Sequence, residues 1–150
     1  MRKGSALIEL ALSLVVLVMM GAGAFQFGYQ FWARDRLQSA VAAAARYASR
    51  MEYQGRSAEC AQRGFEAARR FAVYGDPGPH TAGASPAVPG LRPSHIAVDV
   101  ALDAKGVPDT ITLSVRGFEL EAVFSRYRLN GSPSAVVPFQ GGYLAQGCPQ

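Results

Sequence analysis

Residues 4–50 read GSALIELALSLVVLVMMGAGAFQFGYQFWARDRLQSAVAAAARYASR. This stretch decides the fold, because it is one uninterrupted helical pattern. No proline precedes Pro77, so nothing in the backbone forces a break. Positions 10–33 carry no charge. At about 1.5 Å per residue they make roughly 36 Å of helix, enough to cross a hydrocarbon core of about 30 Å. Beyond them the pattern changes. Leu37, Val41, Ala44, Ala48 and Met51 recur at helical spacing as a narrow apolar seam, and the alanines between them favour helix strongly. The first half of the stretch suits lipid and the second half suits a protein surface. The helix is expected to run to about Glu52.

Working outward, Gln54-Gly55-Arg56 reads as a turn with Gly55 as the C-cap residue. Ser57 then caps a second helix that ends near Tyr74. Its apolar stripe is Cys60/Ala61, Gly64/Phe65, Ala68 and Phe71/Ala72, with Glu59–Arg63 and Glu66–Arg70 as i,i+4 pairs on the outer face. The two helices should pack antiparallel. Residues 76–93, rich in Pro, Gly, Ala and Ser, read as a loop. Ile96, Val98, Val100 and Leu102 alternate with Ala97, Asp99 and Ala101, and Ile111, Leu113 and Val115 alternate with Thr and Ser. These are two half-buried strands joined by a turn at Lys105-Gly106. Gly117 breaks the parity and marks a bulge. Residues 118–129 fit helical and strand spacing equally. Asn130-Gly131-Ser132-Pro133 reads as a turn, and Ala135–Leu144 as a last edge strand. The expected class is α+β: residues 1–4 a leader, 5–33 a membrane span, 34–75 a helical hairpin, 76–93 a loop and 94–150 a small antiparallel sheet on the helices.

The chain has a net charge of +4, half of it from Arg2 and Lys3. That balance is too weak and too evenly spread for nucleic acid. The two cysteines, Cys60 and Cys148, show no zinc spacing. In an oxidising compartment a Cys60–Cys148 disulfide is natural and would stabilise by ~4–5 kcal/mol in the chain-entropy model; two free thiols are the alternative. His80 and His95 are the only histidines. Ser94, His95 and Asp99 could be drawn as a triad, but strand geometry sends neighbours to opposite faces. Asp99, Asp103 and Asp109 would hold Ca²⁺ only by accident of turn geometry. No phosphate loop or paired carboxylates appear, so neither catalysis nor a cofactor is expected.

Two readings of the amino terminus compete. In an ordinary secretory signal, Arg2 and Lys3 form the basic region, Leu10–Met20 the apolar region and Ala22-Gly23-Ala24 the cleavage site. The product would be a secreted binding domain starting at Phe25. In a prepilin-like leader, cleavage follows Gly4, Ser5 becomes the first residue, Glu9 the fifth, and the helix is kept. A small Gly lets a peptidase approach the backbone. A carboxylate entering lipid is costly, by up to ~2.5–3.5 kcal/mol at mid-helix, which calls for a partner. The α-amino group of Ser5, in the same or a neighbouring subunit, is one; the positive end of the helix dipole is the simpler one. Gly21, Ala24 and Gly28 share a helix face and could admit another helix closely. Phe25, Phe27, Tyr29, Phe31 and Trp32 form an aromatic belt where the span ends. A membrane-tethered regulator dimerising through the long helix is a third, weaker reading.

The residues Gly4-Ser5-Ala6-Leu7-Ile8-Glu9, the aliphatic run, Phe27-Gly28, Ala33-Arg34, Leu37-Gln38-Ser39-Ala40 and Ala44 to Ala48 resemble the TadE-like segment of tight-adherence pilus assembly proteins. Leu10 stands where that family often has an aromatic, and Ser13-Leu14-Val15 lacks its common proline. The resemblance implies a single-pass, non-enzymatic, pseudopilin-like protein of the bacterial inner membrane with a periplasmic carboxy-terminal domain. It also implies a prepilin peptidase, pilin and other pseudopilin subunits, an inner-membrane assembly platform and membrane lipid as partners, with Glu9 serving assembly.

Overall fold

A computed structural model of the chain describes residues 3–54, 58–79, 84–121 and 126–144. It is α+β: one very long helix, a second helix and a three-stranded antiparallel sheet. Helix α1 runs Lys3–Ala48, about 70 Å at the standard rise. It stops four residues before the expected Glu52. There Ser49 closes the last turn, its amide donating to the Ala45 carbonyl at 2.9 Å and its hydroxyl to the Arg46 carbonyl at 2.9 Å. The chain then enters a two-residue strand β1, Tyr53–Gln54, rather than a turn. Gly55 and Ser57, the expected caps, lie outside the described residues. Helix α2 spans Ala58–Tyr74, and the Gly75 amide donates to Phe71 to close it. Glu66 pairs with Arg69 at 2.6 Å, not with Arg70. The Glu59–Arg63 pair lies outside the described side chains.

Strand β2 (Ile96–Leu102) follows a 3-10 turn at Pro93–His95. Strand β3 (Pro108–Glu121) is central, and β4 (Arg126–Pro138) is its other neighbour. In the ambiguous stretch 118–129, residues 118–121 and 126–129 are therefore strand, and 122–125 lie outside the described residues. Up to Val115 the odd positions Ile111, Leu113 and Val115 face the core; after Arg116 and Gly117 the even positions Phe118 and Leu120 do. The ladder slips at this point and Gly117 has φ +65°, so the bulge moves the inward face of β3 by one residue and keeps Phe118 and Leu120 buried. Asn130 to Pro133 is not a turn. It lies within β4, at an irregularity opposite the bulge where Arg116 pairs with Asn130. The expected strand Ala135–Leu144 is divided: β4 ends at Pro138, and a short β5, Tyr143–Leu144, pairs in parallel with β1.

α1 packs on β3, β4 and α2, and α2 packs on β2 and the 3-10 turn. Tyr47 stacks on Phe71 at 5.1 Å, while Tyr53, further along the chain, meets Phe65, earlier in α2. That reversed order is an antiparallel helix pair. The core is Leu37, Val41, Ala44, Ala45 and Ala48 of α1, Phe65, Ala68, Ala72 and Val73 of α2, and the inner face of the sheet. The Pro/Gly-rich loop is more than a tether. It sends Val88 and Leu91 fully into the core, and its Ala87 amide bonds to the Val73 carbonyl at 2.7 Å.

Candidate functional site: the amino-terminal helix

α1 divides sharply at Ala33. No described residue before it is buried, whereas Ala33 and Leu37 are 0% exposed. Leu7, Leu10, Leu12, Val15, Met19 and Met20 all stand open to the surroundings. A core helix of a water-soluble protein buries its apolar positions; this one leaves roughly 40 Å of them uncovered. One helix in the described structure, Ala6–Ala48, is long and apolar enough to cross a membrane.

Gly4 and Ser5 lie in the first turns of α1, and the Ser5 side chain lies outside the described side chains. Glu9 is exposed on the same helix, and no cation pairs with it among the described residues. Gly21, Ala24 and Gly28 fall on one face of α1, and all three are exposed among the described residues. A methyl group added at Gly21 or Gly28 would meet nothing within 4 Å. Phe25, Phe27 and Phe31 are exposed, and Tyr29 sits beside Trp32 with ring centres 5.8 Å apart. The belt is thus assembled at the level where the domain begins. Cys148 lies outside the described residues and the Cys60 side chain outside the described side chains, so their pairing is left where the sequence left it.

Of the remaining candidates, His95, Asp99 and Asp103 make structural contacts. His95 Nδ1 accepts the Arg92 amide at 3.2 Å, and its ring lies against Phe118 at 5.4 Å. Asp99 pairs with Arg116 at 2.7 Å across the hairpin, an exposed pair worth at most about 1 kcal/mol. The three residues Ser94, His95 and Asp99 therefore form no relay. One oxygen of Asp103 accepts the amides of Lys105 and Val107, each at 2.8 Å, so this carboxylate shapes the β2–β3 turn. His80 lies outside the described residues. Among the described residues no cluster of three metal-ligating side chains occurs.

Sequence reasoning missed the way β3 and β4 run back along α1. Leu120, Tyr127 and Leu129 come to lie beside Phe27, Phe31 and Arg34. The alternation of Phe118 and Leu120 carried that signal, but the equally good helical spacing of the same stretch masked it.

No curated protein and no solved structure matches the chain. A family model described as TadE-like protein matches residues 4–46. The matched segment is α1 almost entire, containing Gly4, Glu9, the uncovered apolar run and the start of the buried seam. The likeness to the TadE-like family is thus carried by that helix, residues 4–46.

Proposed function

We infer that the chain is a non-enzymatic, pseudopilin-like membrane protein that serves assembly of a tight-adherence (Flp-type) pilus. A prepilin peptidase trims it after Gly4, leaving Ser5 as the first residue and Glu9 as the fifth. The helix is retained, anchors the protein once in the bacterial inner membrane, and holds the carboxy-terminal domain in the periplasm. Glu9 then meets the α-amino group of Ser5, its own or that of the neighbouring subunit, as the helix joins pilin and other pseudopilin helices on the assembly platform. The family is generally non-enzymatic, and His95 and Asp99 are engaged in the turn and hairpin contacts described above.

The observation that carries this reading is the uncovered half of α1. It combines a lipid-compatible surface, a lone carboxylate at one end and a folded domain at the other, within the segment that is TadE-like. The test is Glu9→Ala in the native host, with surface pili counted by electron microscopy and the chain followed in membrane fractions. Loss of pili with the variant still present in the membrane is expected. Normal piliation would remove the carboxylate from the mechanism.

A further inference from the structure

The end of the β3–β4 hairpin forms an open groove with α1 of about 260 Å³. Its walls are Phe27 and Phe31 from the helix and Leu120, Leu129 and the Tyr127 ring from the hairpin, with Arg34 as its cation. The size lies below the roughly 300–1,000 Å³ of pockets that enclose a soluble small ligand, so the groove suits part of a chain rather than a whole molecule. Its position identifies the neighbour. The charge-free stretch is about 36 Å long and the hydrocarbon core about 30 Å. The last turns before Arg34 therefore cross the boundary between acyl chains and headgroups. The helical wall of the groove is the lipid-facing surface of the span itself, continued under the hairpin. Tyr127 is exposed at 59%, an amphipathic ring of the kind that settles at that boundary. Among the described residues no carboxylate pairs with Arg34.

We propose that this groove is a phospholipid site: an anionic phospholipid of the outer leaflet lays the upper part of an acyl chain against Phe27, Phe31, Leu120 and Leu129 and sets its phosphate on Arg34. The lipid seats the hairpin on the bilayer and fixes the angle at which the periplasmic domain stands on its anchor. This rests on the membrane reading above.

Trp32 is the only tryptophan, which allows a clean test with the full chain in vesicles of phosphatidylethanolamine and phosphatidylglycerol. In a Trp32→Phe, Tyr127→Trp variant, lipids brominated near the glycerol end of the acyl chain should quench the single indole, and aqueous iodide should not. Native mass spectrometry of the detergent-solubilised, otherwise unaltered chain should show retained phosphatidylglycerol, reduced about fivefold by Arg34→Ala, the effect of one cation at a lipid surface. Quenching of the new indole by iodide but not by lipid, with Trp32 of the unsubstituted chain still quenched by lipid, would overturn the groove and leave the span standing. Failure of lipid to quench either reporter would overturn the membrane reading and the site together. An indole shielded from both quenchers in a chain that runs as a dimer would assign the groove to a second copy and overturn the lipid proposal.

Discussion

A methyl group at Gly141 would run into the Met51 carbonyl oxygen and crowd the Phe139 ring. The backbone of the last segment can lie against the exit of α1 only because that position has no side chain. On either side of it the Gln140 amide donates to the Ser49 carbonyl at 2.8 Å, and the Tyr53 amide to the Gly142 carbonyl at 2.9 Å. Gly141→Ala should cost about 1–3 kcal/mol, as overpacking does. Hydrogen exchange would check it, with the Tyr53 and Gln140 amides exchanging faster and the β2–β3 ladder unchanged. Ser114 is the opposite case. It is 4% exposed, and its hydroxyl has no partner among the described residues. An unsatisfied buried hydroxyl carries a desolvation penalty, so Ser114→Ala should leave stability unchanged or raise it by about 1 kcal/mol in denaturant unfolding of the full chain. Leu37, fully enclosed where α1 meets the domain, should cost about 2–5 kcal/mol when cut to Ala.

At the scale of elements, what could be read from the residues followed from periodicity. Of the seam, Leu37, Val41, Ala44 and Ala48 are buried as its spacing requires, while Met51 lies past the end of α1 and is half-buried, and β2 occupies the alternating stretch Ile96–Leu102. The stop of α1 at Ala48 was not legible. Arg50, Met51 and Glu52 are good helix formers and carry the propensity past it, and the helix ends where Tyr53 and Gln54 pair with a strand far downstream, at Tyr143 and Leu144. Asn130-Gly131 reads as a turn for good local reasons, yet β4 passes through it because the bulge at Gly117 on the facing strand needs an irregular partner. Val88 and Leu91 sit among prolines and glycines with no period to betray them. Helical spacing puts Gly21, Ala24 and Gly28 on one face without naming an occupant, and a methyl group at Gly21 or Gly28 meets no described residue within 4 Å. If a pilin helix packs there, Gly28→Leu should abolish co-purification of the chain with pilin subunits while leaving it in the membrane. Undiminished co-purification would exclude that face.

The whole molecule is a folded α+β domain built around one end of a helix whose other end it does not cover. The physical asymmetry at Ala33 makes sense if two solvents act on one element: lipid as far as the aromatic belt, and protein core beyond it. Cleavage after Ala24 would discard most of the apolar run and leave an exported domain. Cleavage after Gly4 keeps the run and puts Glu9 at its head. Direct measurement of the mature amino terminus, by intact mass and terminal sequencing of the chain purified from host membranes, separates these outcomes. A protein beginning at Ser5 is expected, and one beginning at Phe25 would contradict the membrane-anchored pilus role.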